Sequence, residues 1–239
     1  QVTLADVQAA AGRIAAHVRT TPMWPSRVLS ELAGVSVFLK CENLQRTGSF
    51  KMRGAMNKLL CLTRRQREQG IVAASSGNHG IATTQAARVA GLEPTIYLPE
   101  SVSPKKHAKM KRLGAKTVLV PGNGVEAEVV GRAAAERDGK VFVSPYSDPD
   151  VIAGQATIGL ELAEQCPDLA AVYLALGGGD VYELLFTASA SVMNDLQSIV
   201  DVPITVVGEV TDGDNSVAII GSNGKPMAVG HRGWNHFES

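Results

Sequence analysis

The sequence predicts an α/β protein built on doubly wound parallel sheets in two domains. Four short apolar runs, Ile71–Ala74, Thr95–Leu98, Thr117–Val120 and Val141–Val143, recur along the middle of the chain, each of strand length. Between them lie helical stretches, Gly80–Val89, Pro104–Leu113 and Val125–Arg137, which run out near Gly91, Gly114 and Gly139, where a helix C-terminus favours a left-handed residue. Such alternation folds through right-handed crossovers into parallel sheet. Ligands of these sheets gather at the carboxyl ends of the strands, so the loops that follow strands are where chemistry is expected.

The other elements follow in order. Thr3–Val18 places Leu4, Val7, Ala11, Ile14, Ala15 and Val18 on a repeat near 3.6, with Thr3 available as N-cap. Thr20-Thr21-Pro22 breaks this helix, and Val35–Leu39 reads as a strand. After the regular section, Asp148-Pro149-Asp150 caps a helix over Val151–Gln165, and Val172–Leu176 is a strand running into Gly177-Gly178-Gly179. Tyr182–Thr187 and Ile204–Val207 then read as strands flanking a helix, Ser191–Val200. A hairpin, Ser216–Ile220 and Pro226–Val229 around Asn223-Gly224, completes a β-α-β-β tail.

Composition narrows the function. The 239 residues carry 23 basic and 23 acidic side chains, a net charge of zero, with 45% hydrophobic and 19% charged residues. That excludes a disordered chain and a basic nucleic-acid footprint. No apolar run reaches the ~18 to 20 residues of a membrane span, and no cationic start precedes an apolar block. A cytoplasmic protein with no membrane partner is expected. Cys41, Cys61 and Cys166 are too few and scattered for a disulfide framework or a zinc set, and the five histidines include no HxxxH or HxH pair. No metal site is expected.

Three loops at the ends of apolar runs hold the candidate chemistry. In Gly48-Ser49-Phe50-Lys51-Met52-Arg53-Gly54-Ala55 a lysine falls just inside a helix N-terminus, where the helix dipole favours the neutral amine that imine formation needs. Ser75-Ser76-Gly77-Asn78-His79-Gly80 offers two hydroxyls, an amide and bare N–H groups at a helix start, a site sized for a carboxylate. Gly177–Gly179 is able to cradle a phosphate on backbone N–H groups. Singly, these loops also read as a surface lysine, a helix cap and a flexible turn. Together, an amine nucleophile, a carboxylate cradle and a phosphate cradle are what a pyridoxal phosphate enzyme acting on an amino acid requires.

Residues 1–179 resemble the fold type II pyridoxal phosphate enzymes, most closely the threonine/serine dehydratases and serine racemases. The resemblance is carried by ENLQRTGSFKMRGA, SSGNHG, GLEPTIYLPESVSPKKHAKMKRLGAKTVLVPG and DPDVIAGQATIGLEL, in order and spacing. It implies pyridoxal 5'-phosphate as cofactor, joined to Lys51 as an imine, with Phe50 packed on its ring, Asn78 on the ring hydroxyl and Gly177, Gly178 and Gly179 on the phosphate. Ser75, Ser76, Gly77 and His79 would bind the substrate carboxylate, and Ser76 aligns with the second acid/base of the racemases. The implied reaction begins with removal of the α-proton by Lys51 and loss of the β-hydroxyl of threonine or serine, ending in a 2-oxo acid and ammonia. Serine racemization is the alternative activity, and family members are often homo-oligomers.

The resemblance also has departures. Asp180 stands where the phosphate loop normally has a fourth glycine, Ile81 stands in place of a glutamine, and the second half of the family's large domain is not found. LALGGGDVYELLFTASA, VPITVVGEVTDG and HRGWNHFES instead resemble the end of bacterial thiamine-monophosphate kinases, with Trp234 as the aromatic on the thiazole and Val181 replacing an acid. The expected organization is a chimera joined at the shared glycine run. It comprises a partial large domain (1–47 and 144–179), a small α/β domain (48–143) and a kinase-like segment (180–239). An inactive protein that keeps the fold is the competing expectation, and kinase activity ranks lowest because the kinase's nucleotide- and magnesium-binding aspartates are missing.

Overall fold

Side-chain caps start five helices of the computed structural model, which describes residues 2–169. Packing divides the chain into two units, Gln1–Met23 with Lys40–Asp168, and Trp24–Leu39 with Leu169–Ser239. Every element expected from Val172 onward, and the Gly177–Gly179 loop, lies outside the described residues.

In the first unit, α1 (Leu4–Ile14) starts at a capping box between Thr3 and Asp6. It ends four residues before the expected Val18, in a turn where His17 and Val18 both donate to Ile14 O. The helices α3 (Lys51–Cys61), α4 (Arg64–Gln69), α5 (Asn78–Val89), α6 (Pro104–Arg112), α7 (Gly124–Arg137) and α8 (Pro149–Gln165) follow. Asp148 caps α8 by accepting from the N–H groups of Asp150 and Val151, and Asn123 forms a capping box with Glu126 at α7. The glycines expected to terminate helices, Gly91, Gly114 and Gly139, have φ of 71°, 100° and 64°.

The sheet is the predicted parallel one. Strands β3 (Ile71–Ala74), β4 (Thr95–Pro99), β5 (Lys116–Val120) and β6 (Val141–Phe142) lie in the order β5-β4-β3-β6. Val72 is paired with Thr95 on one side and Phe142 on the other. Growth from β3 through β4 to β5 and the return to β6 on the far side of β3 make β3/β6 the topological switch point. Helices α5 and α6 connect strands in the outward direction, whereas α7 makes the return crossing. Right-handed connections therefore place α7 on the opposite face.

The core joins this sheet to a second helical layer. Met52, Met56 and Leu59 of α3 pack with Ile81, Ala82 and Ala86 of α5, Ile96 and Leu98 of β4, Val143 and Val151. Helix α8 crosses α3 at glycine. A Cβ on Gly54 would lie 2.6 Å from Val151 O, and one on Gly154 would lie 2.7 Å from Arg53 O, so the two backbones touch where no side chain fits. Lys58 of α3 bridges Asp148 and Asp150 at 2.7 and 3.0 Å, closing the same contact at the start of α8.

In the second unit, α2 (Arg27–Ala33) is capped by Ser26, whose hydroxyl accepts from Leu29 N–H, and by Gly34 at φ 67°. Strands β1 (Met23–Pro25) and β2 (Phe38–Lys40) pair in a two-stranded sheet. The strand expected over Val35–Leu39 is thus three residues displaced at its start, because Val37 is drawn into loop bonds with Ser26 and Ser30. Helix α4, which was not among the expected elements, buries no residue and so shows no apolar period; its one sequence signal is the Thr63–Gln66 capping box.

Candidate active site

Two loops meet the switch point, one after β3 and one after β6, and Lys51 reaches the second. Lys51 is the first residue of α3, with Phe50 at the N-cap. Its Nζ donates to Pro145 O at 3.3 Å and lies 4.9 Å from the centroid of the Phe50 ring. The amine is partly buried, against an apolar ring on one side and a backbone acceptor on the other.

The helix that carries Lys51 is clamped on its far side. Arg53 is 1% exposed and makes a forked pair to Glu42, with Nε–Oε2 at 2.9 Å and Nη2–Oε1 at 2.7 Å. Its Nη1 meets Glu161 Oε1 of α8 at 2.6 Å, and Lys40 Nζ meets Glu161 Oε2 at 2.5 Å. The four charges cancel, and the pairs are bidentate or multiply bonded, which such a desolvated cluster requires. Burial opposes ionization of Glu161, but the hydrogen bonds from Arg53 and Lys40 prevail and hold its carboxyl below the ordinary range. Two residues apart on a helix face nearly opposite directions, so the clamp fixes the start of α3 without occupying the Lys51 side.

The loop after β3 forms the start of α5. Gly77 is its N-cap and makes no side-chain cap; the first intrahelical bond runs from Ile81 N–H to Gly77 O. The N–H groups of Asn78, His79 and Gly80 precede that bond, as first-turn groups do. Ser75 Oγ accepts from Gly77 N–H at 3.2 Å and shapes the turn. Ser75 and Ser76 are partly buried and Asn78 is exposed. The His79 ring is buried at 3% exposure, with Nε2 3.0 Å from Val143 O. Burial foremost, then the charge of Lys51, push its pKa down to about 4 against the bond to Val143, so the ring is neutral at physiological pH.

The loop after β6 is braced by groups that carried no sequence motif. Ser144 Oγ is a hub, 2.7 Å from Ser147 Oγ and 3.4 Å from Arg132 Nη2. Arg132 pairs with the buried Glu128 at 2.7 Å and lies over the Phe142 ring at 4.3 Å. Tyr146 donates its hydroxyl to Glu128, and burial together with that carboxylate raises the phenol above its ordinary range. The only sequence signal was position, a Ser-Pro directly after an apolar run at a strand's carboxyl end.

The structure thus brings Phe50 and Lys51 to the loop after β6, and ties that loop to the Ser75–His79 helix start through His79. Gly177, Gly178 and Gly179 lie outside the described residues. Among the described residues no cluster of His, Cys, Asp or Glu could hold a metal ion, and no helix is long and apolar enough to cross a membrane. Thr47 Oγ1 and Ser49 Oγ, just before Lys51 and buried without partners among the described residues, are hydrogen-bonding groups that a bound molecule could satisfy.

Comparison with known proteins gives the family. A family model described as pyridoxal-phosphate dependent enzyme matches residues 14–200. The chain is 40% identical over 198 residues to an L-threonine ammonia-lyase of Thermotoga maritima, covering 83% of this chain and 49% of that protein. It is 42% identical over 174 residues to an L-threo-3-hydroxyaspartate ammonia-lyase of a Pseudomonas species, covering 73% and 54%. Its fold is similar to a solved maize serine racemase, with a TM-score of 0.67, 32% identity and coverage of 71% of this chain and 51% of the other. The chain spans about half the length of the curated relatives it matches. With more than half of its residues inside the matched model, the chain belongs to the pyridoxal-phosphate dependent enzyme family.

Proposed function

We propose that the chain serves a pyridoxal phosphate-dependent β-elimination of threonine or serine to a 2-oxo acid and ammonia. The observation that carries this reading is the Lys51 amine at the first residue of α3, held on Pro145 O at the switch point of the sheet. The ammonia-lyase relatives support the reaction class.

The residues present fit the cofactor: an amine for its aldehyde, the Phe50 ring for its flat face, and the unpartnered hydroxyls of Thr47 and Ser49 beside them. When bound, pyridoxal phosphate supplies an aldehyde for amines and a ring that takes up negative charge from the α-carbon. Lys51 moves the proton at the substrate α-carbon, from a position fixed by the Arg53 clamp and the Pro145 carbonyl. The N–H groups at the start of α5, including that of His79, bind the substrate carboxylate together with Ser75, Ser76 and Gly77. Asn78 contacts the cofactor's ring hydroxyl, and Gly177–Gly179 holds its phosphate. Net, the substrate loses water across Cα–Cβ, and one water then displaces ammonia.

A visible-edge absorbance on adding pyridoxal phosphate, fixed by borohydride onto Lys51, is the test. Protein that stays colourless and unlabelled refutes the reading, as does ammonia release from threonine no faster than by Lys51→Ala. Racemization of serine, with Ser76 as the second proton carrier, is the alternative favoured by the serine racemase neighbour; D-serine production lost in Ser76→Ala would establish it.

The seam at Gly177–Gly179, the division into 1–47 with 144–179, 48–143 and 180–239, and assembly as a homo-oligomer belong to the same proposal. The motifs of the tail support the seam, while the family match runs on to residue 200. Turnover of ATP on thiamine monophosphate is expected to be absent, and its detection would overturn the ranking of activities.

A further inference from the structure

One side chain ties the carboxylate-binding end of α5 to the loop that holds Lys51. His79 Nε2 lies 3.0 Å from Val143 O. A carbonyl only accepts, so Nε2 carries the proton and donates it. Nδ1 is then a bare acceptor, buried and without a partner among the described residues. Thr83 Oγ1, one helical turn on and fully buried, lies 3.4 Å from the same Nε2 and backs the ring. Val143 directly follows β6, and two residues further Pro145 O receives the Lys51 amine at 3.3 Å. Between them Ser144 is committed to Ser147 and Arg132. The imidazole N–H therefore fixes one end of a three-residue stretch whose other end fixes the amine.

We infer that His79 is a positioning residue, setting the Lys51 amine through the Val143–Pro145 loop, and that its ring does not serve as a cation for the substrate carboxylate. The inference deepens the proposed function, since Lys51 is taken as the reacting amine. The tie itself does not depend on the reaction. Two roles make opposite demands on replacements. If the N–H matters, His79→Gln, whose amide nitrogen reaches about as far as Nε2, preserves the arrangement, whereas His79→Phe and His79→Asn do not. If only ring packing matters, His79→Phe preserves it and His79→Gln does not.

The experiment uses the full chain without added cofactor. Nitrogen-15 NMR of the wild-type histidines at neutral pH is expected to show one ring protonated at Nε2 and bare at Nδ1, assigned by its loss in His79→Gln; a ring protonated at Nδ1 alone overturns the inference. Acylation of Lys51 by acetic anhydride, read by mass spectrometry of its peptide, is expected to change about 3- to 10-fold in His79→Phe and His79→Asn, the range one hydrogen bond supplies. His79→Gln is expected to stay within about twofold of wild type on the same scale. Wild-type reactivity in His79→Phe with altered reactivity in His79→Gln overturns it as well. Failure of pyridoxal phosphate to mark Lys51 in wild-type protein would remove the proposed reaction while leaving these outcomes to decide the role of His79.

Discussion

Acidification from pH 7 to pH 5 should weaken the fold through one buried imidazole. His79 is held neutral down to about pH 4 because burial excludes its charged form. In the unfolded chain the same ring takes up a proton near pH 6.5. Between those values the unfolded state binds more protons, so stability is complete above about pH 6.5 and is lost as pH falls toward 4. The full window is worth about 3 kcal/mol, and the part between pH 7 and 5 about 2 kcal/mol. Urea unfolding followed by far-UV circular dichroism at the two pH values, in wild type and His79→Gln, isolates it. Carboxylates and the remaining histidines contribute to both proteins and cancel in the difference. Wild type should lose about 2 kcal/mol more than the variant; equal losses would refute the reasoning, because they would mean the ring is protonated in the folded state at pH 5.

Other perturbations test the framework around the site. Arg53→Met strips Glu42 and Glu161 of their shared partner inside the protein, with an expected cost of about 3 to 5 kcal/mol in urea unfolding. Gly54→Ala drives a methyl to 2.6 Å from Val151 O of α8 and should cost about 1 to 3 kcal/mol, whereas Gly159→Ala on α8 itself meets nothing within 4 Å and should gain up to about 1 kcal/mol. Thermal or urea midpoints of the pair would separate helix crossing from helix propensity. Tyr146→Phe removes the donor to Glu128 but leaves its pair with Arg132, so a loss of about 1 kcal/mol is expected, read by the same unfolding midpoints.

Much of this architecture was legible because it is local. The span of β3 is the apolar run Ile71–Ala74 itself, buried at every position, and the helix ends fall at glycines whose φ values other residues rarely adopt. That Lys51 and the Ser75–His79 turn stand at helix starts was legible from the loop residues that flank each apolar run. What could not be read depends on pairing across distance or on backbone atoms. Arg53 meets Glu161 across 108 residues, and periodicity places both on helices without bringing them together. Pro145 contributes a carbonyl, which every residue possesses. His79 was expected as a substrate ligand, and the direction of its ring, toward Val143 O in the interior, is set by tertiary packing that its place in the sequence does not reveal.

The strand order has a consequence in time. Ile71 pairs with Val141, seventy residues further along the chain. At roughly 5 to 20 residues per second of synthesis, β3 waits about 4 to 14 s for its second neighbour. During that interval β4 can cover one edge, while the other remains an open apolar template of the kind chaperones bind. Lys51 leaves the ribosome earlier still, ahead of the carbonyl that will hold it. The nascent chain thus carries Lys51 without its Pro145 contact until that loop has been made, and the contact forms only when the sheet does.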